Sequence, residues 1–182
     1  AWFMAHRIRQ AMIEDRAAPM GGDDGGSVQA DETYFGKKED QSPPSSRKGR
    51  PYKHKRKGPA GKRAVVSLIS GGKARTFHVR RADAQTVREI LVINVARSAA
   101  LYTDESRLYT KTGTEFKDHQ TVNHSAGEYA RGPVTTNAVE NYFSVFKRGM
   151  KGVYQHCAEK HLQRYITEFD FRYNTRNSSD EE

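Results

Sequence analysis

Arg63-Ala64-Val65-Val66-Ser67-Leu68-Ile69-Ser70, then Gly71-Gly72, then Lys73-Ala74-Arg75-Thr76-Phe77-His78-Val79-Arg80, is the stretch on which the fold turns. The first segment is apolar, partly β-branched and too short for a helical period, so it reads as a strand over residues 63–70. Glycine tolerates positive φ, so the diglycine predicts a hairpin turn. A second strand then returns over residues 74–80. Downstream, Asp83 or a neighbour can cap a helix running to about Ala96, with Val87, Ile90, Leu91 and Val95 facing inward. Residues 99–103 form a short buried strand ending at Asp104, and 116–124 read as another strand. Helices are expected at 136–151 and 158–173, the second burying Leu162, Tyr165, Ile166 and Phe169. Upstream, residues 27–35 are rich in strand formers and carry Asp31 near their centre. Residues 1–17 read as a helix with Phe3, Ile8, Met12 and Ile13 at helical spacing. Hairpin-linked strands mixed with crossover helices predict an α/β fold, a mixed sheet flanked by helices on both faces.

The chain has 182 residues, enough for one domain with a substantial core. Residues 1–20 are expected to be a helix and linker left from an upstream region, because Ala1 stands where no initiating methionine does. Residues 27–176 make the main domain, with a basic, flexible insertion at 37–62, and 177–182 a disordered acidic tail. The net charge is +9, which favours a polyanionic partner, since each neutralised phosphate releases condensed counterions. No stretch approaches the roughly 18 apolar residues of a membrane span. Cys157 is the only cysteine, so there is no internal disulfide, and a reducing cytoplasm is the expected compartment.

Three acids stand out. Asp31 lies mid-strand with Gln29 and Thr33 on its face, where an unpaired carboxylate is costly. Asp104 follows the apolar run Ala99-Ala100-Leu101-Tyr102, and carboxyl ends of such strands are where open α/β sheets place ligands. Glu140 lies in the first turn of a helix whose apolar stripe is Val139, Tyr142, Phe143, Phe146 and Met150. Glu140, Ser144, Lys147 and Lys151 share another face of that helix. Each acid also has an ordinary reading: a buried ion pair for Asp31, a helix N-cap for Asp104, a capping pair of Asn137 with Glu140. Together they can converge on hard cations, which prefer oxygen ligands. The run Arg47, Lys48, Arg50, Lys53, Lys55, Arg56, Lys57, Lys62 and Arg63 holds no acid and is the main candidate for phosphate contacts. Tyr52 and His54 inside it can stack on bases.

At these residues the sequence resembles the bacterial insertion-sequence transposases of the ISXO-like type, members of the DDE superfamily with a ribonuclease-H-like fold. The blocks that carry the resemblance are Val28-Gln29-Ala30-Asp31-Glu32-Thr33-Tyr34-Phe35-Gly36 and Tyr102-Thr103-Asp104-Glu105. They continue with His124-Ser125-Ala126-Gly127-Glu128-Tyr129 and Asn137-Ala138-Val139-Glu140-Asn141-Tyr142-Phe143-Ser144. Phe146-Lys147-Arg148-Gly149, His161-Leu162-Gln163-Arg164-Tyr165 and Phe171-Arg172-Tyr173-Asn174 complete the set. Two positions depart from it: Lys37 stands where a second glycine is usual, and Thr135 where relatives often carry histidine.

The resemblance implies that Asp31, Asp104 and Glu140 are the catalytic, metal-binding triad, for Mg2+ or Mn2+ and two ions in all. Thirty-five residues separate Asp104 from Glu140 (105–139), the superfamily spacing, and Lys147 matches the basic residue that follows the third acid. Lys147, Arg148, Lys151 and the run from Arg47 to Lys57 are expected on DNA, with His124 and Asn137 as auxiliaries. The implied activity is cleavage and transfer of DNA strands by a homodimer or larger assembly in the bacterial cytoplasm, at the nucleoid. Rival readings are a catalytically inactive DNA-binding descendant of a transposase, and a metal-dependent nuclease that cuts without joining.

Overall fold

The predicted hairpin forms, and both of its glycines carry the positive φ that its turn needs (54° at Gly71, 74° at Gly72). This computed structural model describes residues 1–14, 18–22, 26–37, 61–123 and 130–179. Within them β1 spans Ser27–Lys37, β2 Lys62–Ser70 and β3 Lys73–Val79. Helix α2 (Ala84–Asn94) crosses to β4 (Ala100–Asp104), and α3 (Arg107–Gly113) leads to β5 (Asp118–Val122). A small hairpin, β6 (Ala130–Arg131) with β7 (Val134–Thr135), delivers the chain to α4 (Asn137–Gly149). Helix α4 runs on into a π-helical turn at Met150–Tyr154, and α5 (Leu162–Asn174) closes the domain. The five-stranded sheet has the order β3-β2-β1-β4-β5. Strand β1 runs antiparallel to β2 and parallel to β4, and β5 is parallel to β4. This is the mixed sheet of the expected ribonuclease-H-like class.

Strand β2 shows why the sheet has two covered faces. Val66 and Leu68 pack with Val28, Ala30, Leu101, Val87 and Leu91 on the α2 side. Val65 and Ile69, one residue out of phase, pack with Val139, Phe143, Phe146, Leu162 and Ile166 of α4 and α5. Alternation of side chains along a strand thus sends one apolar run into two cores. Helix α2 starts as predicted, with the Asp83 carboxylate accepting from the Thr86 N–H at 3.0 Å.

Strand β3 is an edge, and α5 closes it with side chains rather than with another strand. Asn174 accepts from the Ala74 N–H and donates to the Ala74 carbonyl, at 2.6 and 3.1 Å. Asp170, 3 % exposed, accepts from the Thr76 N–H at 2.9 Å and from the Tyr142 hydroxyl at 2.6 Å. Gln163 accepts from the His78 N–H and donates to the Thr76 carbonyl. Alternate β3 residues face outward, and residues seven and four apart on α5 meet them. The exposed edge that would otherwise template pairing with another chain is thereby covered.

The first helix differs from expectation. It spans Trp2–Ala11, and Phe3, Ile8 and Ile13 are exposed. His6 and Arg9 are the residues it buries. Arg9 donates to Glu168 at 2.8 Å and lies over the Tyr165 ring, while His6 packs among Trp2, His161 and Tyr165. A buried ion pair and ring contacts outweigh the apolar spacing there. Helix α3 and the β6–β7 hairpin went unpredicted, because seven and two residues are too short to show a period. The insertion expected at 37–62 is described only at its two ends, Lys37 and residues 61–62; 38–60 and the tail residues 180–182 lie outside the described residues.

Candidate active site

Parallel pairing of β1 with β4 brings the first two acids level. The ladder runs from Ser27–Ala100 to Gln29–Tyr102, and Asp31 and Asp104 each lie two residues beyond its last pair, on neighbouring strands. Gln29 shares their face and does a second job. Its side-chain carbonyl accepts from the Ala138 and Val139 N–H groups, at 3.0 and 3.4 Å. Those are first-turn donors of α4 with no partner inside the helix. One β1 side chain thus pins the first turn of α4, which carries Glu140, to the strand that carries Asp31.

The Glu140 carboxylate is held by its neighbour before the helix: the Thr136 hydroxyl donates to it at 2.8 Å. The capping pair of Asn137 with Glu140 is therefore corrected. Asn137 is already the first helical residue, exposed, and its own N–H donates to Thr135 Oγ1 at 3.0 Å. Thr136, 1 % exposed, occupies the cap position instead. Asp104 accepts from the Ser106 N–H at 3.0 Å, which is a turn contact rather than the N-cap of α3; Ser106 holds that place.

The electrostatics of Asp31 tie the acids into one site. Burial, reinforced by the negative charges of Glu32, Asp104 and Glu140, pushes its carboxyl up to about 8, against the N–H bond it accepts from Glu32. Glu32 lies on the opposite face of β1, where the fully buried Tyr109 hydroxyl donates to it at 2.8 Å. Burial and the charge of Asp104 raise the Glu32 carboxyl too, partly offset by Tyr109. Among the described residues the charges that act on the Asp31 carboxyl are those of other acids, and the cation whose charge Asp31 stabilises is Lys147. Lys147 is drawn between Asp31, which stabilises its charge, and Lys151 and Lys62, which oppose it; burial lowers it most.

These donors suit a hard divalent ion in kind, since all are carboxylate oxygens crowded by like charge, the condition a cation relieves. Among the described residues no three His, Cys, Asp or Glu side chains are gathered closely enough to hold one ion. The acids share a site without sharing a ligand shell.

The family model for the ISXO2-like transposase domain matches residues 24–174. The chain belongs to that family. Curated proteins yield no match. In this transposase domain the match ends at the last residue of α5, so the β3 edge cover is part of the family unit.

Of the basic residues expected on DNA, Lys147 and Lys151 line a cleft of about 380 Å³ together with Tyr34, Phe35, Gly36, Lys37 and Lys62. Arg148 is exposed but lines no part of it. Arg63 leaves the phosphate-contact group: it is 8 % exposed and donates to the carbonyls of Lys37 and Cys157, at 2.9 and 2.6 Å. Arg47, Lys48, Arg50, Lys53, Lys55, Arg56, Lys57 and His124 lie outside the described residues. Sequence reasoning missed Gln29, Glu32, Thr136 and Tyr109. Gln29 and Glu32 flank Asp31 within two residues, which was the available signal; their partners sit 109 and 77 residues away.

If Gln29 pins α4, Gln29→Ala leaves two first-turn N–H groups without their acceptor. The expected loss is about 1–2 kcal/mol, or roughly 2–8 °C in the melting temperature. A melting curve unchanged to within about 1 °C would exclude the role.

Proposed function

We propose that this transposase domain cleaves DNA strands and joins the freed ends to a target during movement of an insertion sequence. Its catalytic residues are Asp31, Asp104 and Glu140. The observation that supports this most is that Asp104, on the neighbouring parallel strand, and Glu140, on α4, both add to burial in raising the Asp31 carboxyl to about 8. The three would hold Mg2+ or Mn2+, two ions in all, and bound ions there supply a polarised attacking oxygen and neutralise the leaving one.

The chain's own residues do the rest. Asp31 must give up its proton before it can act as a ligand. Thr136 holds the Glu140 carboxylate through the hydrogen bond that its hydroxyl donates. Lys147, with Lys151 one turn on, fixes a phosphodiester against the acids. Arg148 and the basic residues between Arg47 and Lys57 extend the contact with the duplex. In the cut, water forms a bond to phosphorus as the bond to the 3′ oxygen breaks, and that oxygen takes the proton the water loses. In joining, the freed 3′-hydroxyl attacks a target phosphodiester in line, the bond from that phosphorus to the target's own 3′ oxygen breaks, and that oxygen takes the proton the hydroxyl loses. Two ends must be handled, so the working form is a dimer or larger.

The test uses a labelled duplex carrying an element end, with Mg2+ or Mn2+, and a precut end offered with target DNA. Nicking and joining are both expected. Nicking without joining would make the protein a nuclease, and binding without nicking an inactive DNA-binding descendant. No helix among the described residues is long and apolar enough to cross a membrane.

A further inference from the structure

The β1–β4 ladder ends at Gln29 and Tyr102, so no ladder pair joins the two strands at the level of Asp31 and Asp104. Helix α3 ties them together there instead. Its cap residue Ser106 donates its N–H to Asp104 Oδ1 at 3.0 Å. One turn on, the Tyr109 hydroxyl crosses to β1 and donates to Glu32 Oε2 at 2.8 Å. The Glu32 N–H in turn donates to Asp31 Oδ1 at 2.7 Å. One short helix thus holds Asp104 directly and Asp31 at one remove.

Packing does not ask for this arrangement. Tyr109 is fully buried in the core formed with Val28, Ala30, Val66 and Leu101. A phenylalanine would fill the same space and need no acceptor for a buried hydroxyl. Glu32 lies on the Ala30 face of β1, half-buried, where an apolar side chain would avoid the cost of withdrawing a carboxylate from water. The pair does supply something that apolar contacts lack, a directional bond between the helix after Asp104 and the residue after Asp31. Side chains alternate along a strand, so a bond made on the α3 face is carried through the Glu32 peptide to the face of the acids.

We propose that Tyr109, acting through Glu32, is a positioning residue that fixes Asp31 and Asp104 relative to one another, and that this rigidity makes the pair favour Mg2+ and Mn2+ over the larger Ca2+. Discrimination between hard cations rests on cavity size, ligand number and flexibility. Ca2+ takes bonds of about 2.3–2.6 Å in adaptable shells, against about 2.0–2.1 Å in a strict octahedron for Mg2+. Acids free to drift apart accept either ion; acids held by one helix do not. The selectivity rests on the reading of Asp31 and Asp104 as metal ligands, whereas the tie itself does not.

The tie is tested by amide exchange, followed by NMR on the full chain in chelator. Tyr109→Phe is expected to speed exchange at Glu32 and Ser106 about 10- to 100-fold, the effect of losing a hydrogen bond to a charged group. The Ala138 and Val139 amides, which Gln29 holds on the other face of β1, are expected to stay within about 3-fold of the parent. Glu32→Gln keeps an oxygen for the hydroxyl, and Ser106 is expected to exchange there as in the parent. Glu32→Ala is expected to behave like Tyr109→Phe, and combining the two adds nothing, because each removes the same contact. The selectivity is tested by calorimetric titration with Mn2+ and with Ca2+. The parent's preference for Mn2+ is expected to fall about 10-fold in Tyr109→Phe.

Unchanged exchange at Glu32 and Ser106 would overturn the tie. So would an equal acceleration at Ala138 and Val139, which marks a general loss of stability, or additive losses in the double variant. Should Tyr109→Phe fail to fold, Glu32→Ala against Glu32→Gln decides in its place, and equal exchange at Ser106 in those two overturns the tie. A Mn2+ to Ca2+ ratio unmoved by Tyr109→Phe would overturn the selectivity. A parent that takes up neither ion would sink the catalytic reading and the selectivity with it, while the exchange result still decides the tie.

Discussion

Asp31→Asn and Asp104→Asn are each expected to lower metal-dependent strand cleavage by about 10³-fold or more while DNA binding and folding survive. Asparagine keeps the shape of aspartate and removes its charge. Asp31 and Asp104 lie on adjacent parallel strands, and the N–H contact that Asp104 accepts from Ser106 is available to an amide oxygen as well. What is lost is a hard anionic donor, and metal stabilisation of a phosphoryl transition state is a term of several kcal/mol, each 1.36 kcal/mol being tenfold in rate. Glu140→Gln is expected to follow in the same direction, because the Thr136 contact that holds the side chain is open to an amide oxygen too. The measurements are single-turnover cleavage of a labelled end, a binding isotherm and a circular dichroism spectrum for each variant. Cleavage retained in both aspartate variants would end the assignment of the triad.

The second large effect is on stability and needs no substrate. In the metal-free protein the folded Asp31 carboxyl titrates near 8, against 3.8 for an unperturbed aspartate. Between those values the folded chain holds a proton that the unfolded chain has released. Raising the pH therefore favours unfolding, and this contribution falls from about pH 4 to about pH 8 and then levels off. The acids are coupled, so the full effect is on the order of 2–5 kcal/mol, or roughly 4–20 °C in the melting temperature. Other groups titrate in the same window, and the difference between wild type and Asp31→Asn isolates this one. The variant should melt higher than wild type at pH 8 and alike near pH 4. Mg2+ or Mn2+ should raise the wild-type melting point at pH 8 and leave the variant's nearly unchanged. Equal melting points at pH 8 without metal would mean that Asp31 is not strained by its neighbours. A metal shift preserved in the variant would move the cation elsewhere.

Local pattern carried most of the elements because each was long enough to show a period or was bounded by a chemical signal. The Gly71-Gly72 turn, the Asp83 cap and the apolar stripe of α4 all stand as expected. Where short range gave two equally good readings, tertiary contacts decided. Glu140 with Asn137 has the spacing of a capping pair, yet Thr136 takes the cap position. Helix α1 has the apolar spacing to bury Phe3 and Ile8, yet turns Arg9 inward, because Glu168 and the rings of Tyr154 and Tyr165 wait there from the far end of the chain.

By itself the sequence determined the α/β class, the hairpin, the strand positions of Asp31 and Asp104, and the resemblance that the family match upholds. Those follow from side-chain periodicity, turn chemistry and ordered motifs, all properties of neighbours along the chain. Only the tertiary structure decided that Gln29 ties α4 to β1, that Tyr109 supports Glu32 and that α5 seals the β3 edge. It alone, too, set Lys37 opposite Lys62 beside the acids. The physical reason is that a buried polar group must find a hydrogen-bond partner somewhere, and its sequence neighbours do not say where. For Gln29 the answer lies 109 residues away, in the turn that carries Glu140.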